Sequence, residues 1–159
     1  MYTRILVAID DSSTSVKALD EAIRLAHMLR AALRIVHVAD EGPITQHGKG
    51  IGTYIDIEKV KEQMRAQGNG LLDAAVAKAA SVGCQAERVL IESGRRRIAE
   101  MVVDAARDWG ADLIVVGTHG RRGFERLLIG SVAEHLVRIA PTSLMLVREN
   151  APSRAAGAT

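Results

Sequence analysis

The sequence predicts an α/β fold, a single doubly wound five-stranded parallel sheet with helices on both faces. Three observations carry this. Short β-branched apolar runs alternate with helical stripes in the order β-α-β-α-β-α-β-α-β. The runs are nearly continuous in apolar residues, the pattern of strands covered on both faces. The length, 159 residues, suits one domain with its own core.

The first strand is predicted over 4–9, ended by Asp10-Asp11-Ser12-Ser13, a cluster able to cap a helix. Val16, Leu19, Ala22, Ile23, Ala26 and Leu29 then recur at offsets of three and four, the spacing of a helical face. The second strand falls over 33–38. The stretch 39–56 is polar and glycine-rich and reads as a long loop. Val60, Met64, Leu71, Leu72, Ala75, Val76 and Ala79 mark a long second helix. Gly68-Asn69-Gly70 interrupts its stripe, and each glycine costs a helix about 1 kcal/mol, so a kink or break is expected there.

The third strand is expected over 84–91. Ile98, Met101, Val102, Ala105, Ala106 and Trp109 pattern a third helix stopped by Gly110. A fourth strand covers 112–116, followed by Gly117-Thr118-His119-Gly120. A fourth helix opens at Gly130-Ser131 and stops before Pro141, and the last strand covers 143–147. The domain is set at 1–149. The Ala/Gly/Ser/Pro-rich residues 150–159 are expected to be a disordered tail.

Composition excludes several classes. Twenty-one Lys and Arg against 19 Asp and Glu leave +2, too near neutral to argue for nucleic acid despite a pI of 8.9. Aromatic residues are 3% of the chain, too few for base-stacking platforms. No apolar run approaches the roughly 18 residues that a membrane helix needs. The chain passes from Met1 almost directly into a strand, without the pattern of a leader. Cys84 is the single cysteine and is expected to be a buried, inert thiol. A reducing, cytoplasmic setting follows as the expectation.

The chemistry concentrates at strand ends. In an open parallel sheet, ligands bind beyond the carboxyl ends of strands where the winding reverses. Asp10 and Asp11 follow the first strand; Gly117 and Gly120 follow the fourth. Gly130 and Ser131 open a helix whose free N–H groups favour an anion. If strands one and four are neighbours, these groups share one crevice. Gly117 would then admit a ribose, and Gly120, Gly130 and the Ser131 hydroxyl would surround phosphates. Arg121, Arg122 and Arg126 lie in the intervening loop, placed to meet phosphate oxygens.

Other features carry less. Gly48-Lys49-Gly50-Ile51-Gly52-Thr53 lacks the Walker spacing and follows no strand directly. Arg95-Arg96-Arg97 reads as a solvated basic patch. The five histidines show no metal-ligand spacing. A phospho-receiver would need an aspartate where Ile91-Glu92-Ser93 stands and a lysine where Arg148 stands, so that reading fails.

With these residues in view, the chain closely resembles the universal stress protein family. The likeness runs from Ile5-Leu6-Val7-Ala8-Ile9-Asp10 through Val36-His37-Val38 and 111–117 to Leu144-Met145-Leu146-Val147. Its specific element is Gly-x2-Gly-x9-Gly-Ser, met by Gly117, Gly120, Gly130 and Ser131. The usual Gly-x-Pro after the third strand is replaced by Gly94-Arg95-Arg96.

The resemblance implies strand order 3-2-1-4-5, an adenine nucleotide alpha hydrolase-like sheet, and ATP as ligand with Mg²⁺ or Mn²⁺ on its phosphates. It also implies roles by position. Asp10 and the Val38 backbone address the adenosine end, with Ala8, Ile9 and Val116 lining the pocket. Gly117 lies by the ribose, and His119, Gly120, Arg121, Gly130, Ser131 and Val132 line the phosphate path. It further implies a homodimer through the last strand. The expected function is an ATP-binding, nucleotide-responsive stress-regulatory module. A slow ATPase or autophosphorylating enzyme and a nucleotide-free interaction protein are the alternatives. No Walker lysine and no clear general base support the enzyme.

Overall fold

The computed structural model describes residues 1–47, 56–119 and 129–149. The elements run β1 (Arg4–Ala8), α1 (Ser13–Leu29), β2 (Ala32–Ala39), α2 (Gly42–His47), α3 (Ile57–Ser81), β3 (Ala86–Glu92), α4 (Ile98–Trp109), β4 (Leu113–Gly117), α5 (Ser131–Ile139) and β5 (Ser143–Val147). All strand pairs are parallel, in the order β3-β2-β1-β4-β5. β1 pairs β2 on one side (Val7 with Ile35) and β4 on the other (Val7 with Val115). The winding therefore reverses between β1 and β4, as the resemblance implied.

Two apolar layers sandwich the sheet. On one face Ile5, Val7, Leu33 and Ile35 meet Ala18, Ala22 and Ala26 of α1 and Leu72, Ala75 and Ala79 of α3. On the other, Leu6, Val36 and Ile114 meet Val102 and Ala106 of α4 and Leu136 of α5. Alternate residues of one strand serve opposite layers, which is why these strands are apolar throughout.

The caps follow sequence logic. Ser12 is the N-cap of α1, its hydroxyl accepting from Ser15 N at 3.2 Å. Gly110 closes α4 in the left-handed region, at φ 70°.

Several expectations are corrected. The stretch 39–56 is not all loop: β2 extends to Ala39 and α2 follows. Pro43 in its first turn fits a helix start, where a missing N–H costs nothing. α3 passes through Gly68-Asn69-Gly70 without a break, as one helix of 25 residues. Gly68 is buried there, and a Cβ on it would meet Leu90 Cδ1 at 2.6 Å and His37 Cδ2 at 2.9 Å. Close packing on the sheet thus overrides the helix cost of that glycine.

The third strand begins at Ala86, because Cys84 N instead bonds the Ala79 carbonyl at the end of α3. Cys84 is buried as expected, and burial pushes its thiol pKa up. Val16, placed on the buried stripe of α1, is half exposed. The decoy glycines 48–53 and the tail 150–159 lie outside the described residues.

Candidate nucleotide cleft

A cleft of about 850 Å³ opens over the carboxyl ends of β1, β2 and β4. Its floor is strand ends: Ala8 of β1 with Ile9 and Asp10 just after it, Val38 from β2, Val116 and Gly117 from β4. His119, Gly130, Ser131 and Val132 line the side facing α5. The structure thus brings together ten of the twelve positions expected to form the site. Gly120 and Arg121, with Arg122 and Arg126, lie outside the described residues.

The β1–α1 turn is fixed by its own polar atoms. Asp10 N donates to Ser15 Oγ at 2.8 Å, and Asp10 Oδ1 accepts from Ser12 N at 2.8 Å and from the Ser12 hydroxyl. His37, buried on β2, donates from Nδ1 to the Ile9 carbonyl at 2.8 Å. That bond places the ring's proton on Nδ1 and holds the end of β1 against β2. The Thr14 hydroxyl donates to the His119 carbonyl, which ties the same turn to the end of β4.

Gly117 lines the cleft, yet the space left by its missing Cβ is not cleft space. A Cβ there would lie 2.6 Å from Thr14 Oγ1 and 2.8 Å from the Thr14 carbonyl carbon. The glycine therefore lets the first turn of α1 pack against β4.

Beyond β4, Thr118 N donates to the Val147 carbonyl at 2.9 Å, and Gly130 N donates to the Thr118 carbonyl at 2.6 Å. This holds the start of α5 beside the end of β4. Gly130 is the N-cap and supplies no side-chain cap. The first helical bond in α5 is Glu134 N to the Gly130 carbonyl at 2.9 Å. The N–H groups of Ser131, Val132 and Ala133 therefore have no acceptor within the helix, and all three residues line the cleft. Together with the helix dipole they form an anion-favouring end. His119 adds a polar atom: Nδ1 lies 3.0 Å from Thr118 Oγ1, while Nε2 is buried without a partner among the described residues.

Apolar side chains line the cleft as well. Met64 and Leu71 of α3 face it from one side of the sheet, Ile98 and Val102 of α4 from the other. Sequence reasoning missed these walls. Their only local signal was a helical stripe, which does not say which of its turns projects past the sheet. Arg95-Arg96-Arg97 stays outside this cleft: Arg96 pairs with Asp104 at 2.7 Å and approaches Glu100 at 3.9 Å.

Among the described residues no group of three or more His, Cys, Asp or Glu side chains is placed to hold a metal ion. No described helix is long and apolar enough to cross a membrane.

Comparison with known proteins agrees with this architecture. The model of the universal stress protein family matches residues 1–148. Universal stress protein YxiE of Bacillus subtilis is 32% identical over 151 residues, covering 93% of this chain and all of its own length. Among solved structures, a universal stress protein family member from Burkholderia pseudomallei superposes with a TM-score of 0.73 at 34% identity, covering 92% of this chain and 96% of its own. The Archaeoglobus fulgidus universal stress protein in complex with dAMP shares the fold, with a TM-score of 0.66 at 22% identity over 92% of this chain and 98% of its own. A family match over nearly the whole length, on a sheet wound in this order, leaves one assignment: the chain belongs to the universal stress protein family.

Proposed function

We propose that the cleft holds an adenine nucleotide, ATP in the first place, and that the protein works as a nucleotide-responsive regulatory module. The observation that carries this is the uncapped start of α5 at the switch point between β1 and β4. The N–H groups of Ser131, Val132 and Ala133, which have no acceptor within the helix, and the helix dipole meet a cleft that also has apolar walls from α3 and α4. A phosphorylated nucleoside suits both: an anionic end and a flat heterocycle. The dAMP complex of the Archaeoglobus fulgidus relative supports the ligand class.

In this reading Asp10 and the Val38 backbone meet the adenosine end, the Gly117 backbone the ribose, and Gly130, Ser131 and Val132 the phosphates. His119, Gly120 and Arg121 complete the phosphate path. A divalent cation, Mg²⁺ or Mn²⁺, would ride on the phosphates and draw most of its ligands from them and from water. The buried cysteine and near-neutral charge support a cytoplasmic setting without nucleic acid.

A homodimer through β5 belongs to the same proposal. Among the described residues neither sheet edge is paired with a further strand, and the two edges differ in character. On β3, Glu87 pairs with Arg34 at 2.6 Å, Arg88 with Asp73 at 2.9 Å and Glu92 with Arg65 at 2.5 Å. β5 reads Ser-Leu-Met-Leu-Val, an apolar edge that another strand can pair.

Titration of ATP into the protein and into Gly130→Val tests the site. Gly130 has φ −60° and ψ 154°, a conformation valine adopts readily, so the variant folds while its branched side chain crowds the phosphates. An affinity at least about ten-fold weaker is expected, equivalent to roughly 1.4 kcal/mol. Equal affinity for both proteins sinks the assignment.

A further inference from the structure

Among the described residues, most polar side chains lining the cleft already have partners inside the protein. Asp10, Ser15, His37 and Thr118 are engaged as described, and Asp40 Oδ1 accepts from Gly42 N at 3.0 Å. Gln67 on α3 differs. It lines the cleft, it is exposed, and its carboxamide has no partner among the described residues. It is also the one carboxamide among the described lining residues.

The glycine that fails to break α3 explains why Gln67 is there. Successive residues of an α-helix point about 100° apart. Gly68 faces the sheet, pressed on Leu90 and His37. Asn69 is turned toward β3, where its Oδ1 accepts from Arg88 Nη1 at 2.9 Å. Arg65, one half-turn before Gln67, grips Glu92 at the end of β3 through two bonds of 2.5 and 3.1 Å. With Gly68 down and Asn69 outward, Gln67 is left turned toward β1 and the cleft. Met64 and Leu71, three residues before and four after, flank it with apolar surface.

A planar base resting on this apolar wall would meet a primary amide at its edge. The amide offers one donor and one acceptor in a plane. Adenine presents the complement, an acceptor at N7 and a donor at its exocyclic amine, whereas guanine presents two acceptors. We propose that Gln67 is a specificity-determining residue that reads the N7 and amine edge of adenine and sets a preference for adenine over guanine nucleotides. This rests on the reading of the cleft as a nucleotide site and adds a polar contact from α3, which that reading uses only as an apolar wall.

The test measures ATP, GTP and 7-deaza-ATP, in which a C–H replaces N7, against the full chain and Gln67→Ala. Because Gln67 is exposed, the substitution leaves the fold intact, which circular dichroism checks. The wild type is expected to prefer ATP to GTP. Gln67→Ala should weaken ATP about ten-fold and leave GTP within about two-fold. 7-deaza-ATP, which keeps only the amine contact, should bind the wild type more weakly than ATP and lose less than ATP does on the substitution. An unchanged ATP affinity in Gln67→Ala, equal losses for ATP and GTP, or equal wild-type affinity for ATP and 7-deaza-ATP each overturns the role of Gln67 while leaving the nucleotide site standing. A wild type that binds none of the three overturns the nucleotide reading itself, and this role with it.

Discussion

Thr14 occupies the place that a side chain on Gly117 would need: its Oγ1 is 2.6 Å from that Cβ position and its own Cβ 2.9 Å. The same threonine hydroxyl donates to the His119 carbonyl. α1 and β4 are thus packed to contact where the cleft begins, and Gly117→Ala should force them apart. The expected loss is about 1–3 kcal/mol in denaturant unfolding, the usual cost of overpacking. Adding Thr14→Ala should recover only part of it, because the Thr14 carbonyl carbon remains 2.8 Å away. Full recovery would refute the backbone clash.

The two glycines of α3 should respond with opposite signs. Nothing lies within 4 Å of a Cβ at Gly70, so Gly70→Ala should stabilise by up to about 1 kcal/mol through helix propensity. At Gly68 the same gain is opposed by contacts of 2.6 Å with Leu90 and 2.9 Å with His37. Gly68→Ala should therefore lower the melting temperature while Gly70→Ala raises it. Equal shifts in the same direction would refute close packing at Gly68.

Asp112 sets an acid limit to stability. Burial pushes its carboxyl pKa up, but bonds from Arg4 N, Thr3 N and the Thr3 hydroxyl outweigh this and hold it below the ordinary value. A depressed folded pKa contributes stability that is fully present above the unfolded value of about 3.9 and is lost as pH falls through the folded value. Asp112→Asn should lower the urea midpoint at neutral pH, and the gap from wild type should close below about pH 4. A gap independent of pH would show that the carboxylate charge is not its source.

The proposed dimer has a backbone test. The Val147 carbonyl faces β4, accepting from Thr118 N. By alternation, Leu144 and Leu146 point their N–H and C=O groups away from β4, at the open edge. Leu144→Pro removes an edge donor without removing a bond to β4. Sedimentation should then report the 17.1 kDa monomer in place of a dimer. A variant that sediments like the wild type as a dimer would place the interface elsewhere.

The sequence by itself determined the strands, four of the helices, their order, and the position of the anion-favouring helix start. Each of these is written locally, in apolar runs, in three-and-four spacing and in glycines at junctions. The neighbourhood of strands one and four came from family resemblance, and the pairing of Val7 with both Ile35 and Val115 confirms it.

Tertiary structure alone decided the meaning of individual small residues. Gly68 looked like a break and is a contact; Gly117 looked like room for a ligand and is room for Thr14. A glycine's sequence context reports the cost to its own element. What occupies the vacated space belongs to another part of the chain, here β2 and β3 for Gly68 and α1 for Gly117. The same holds for the α3 wall of the cleft: the stripe marks a buried face, but only packing of that face on the sheet sets which side chain, Gln67, is left looking into the site.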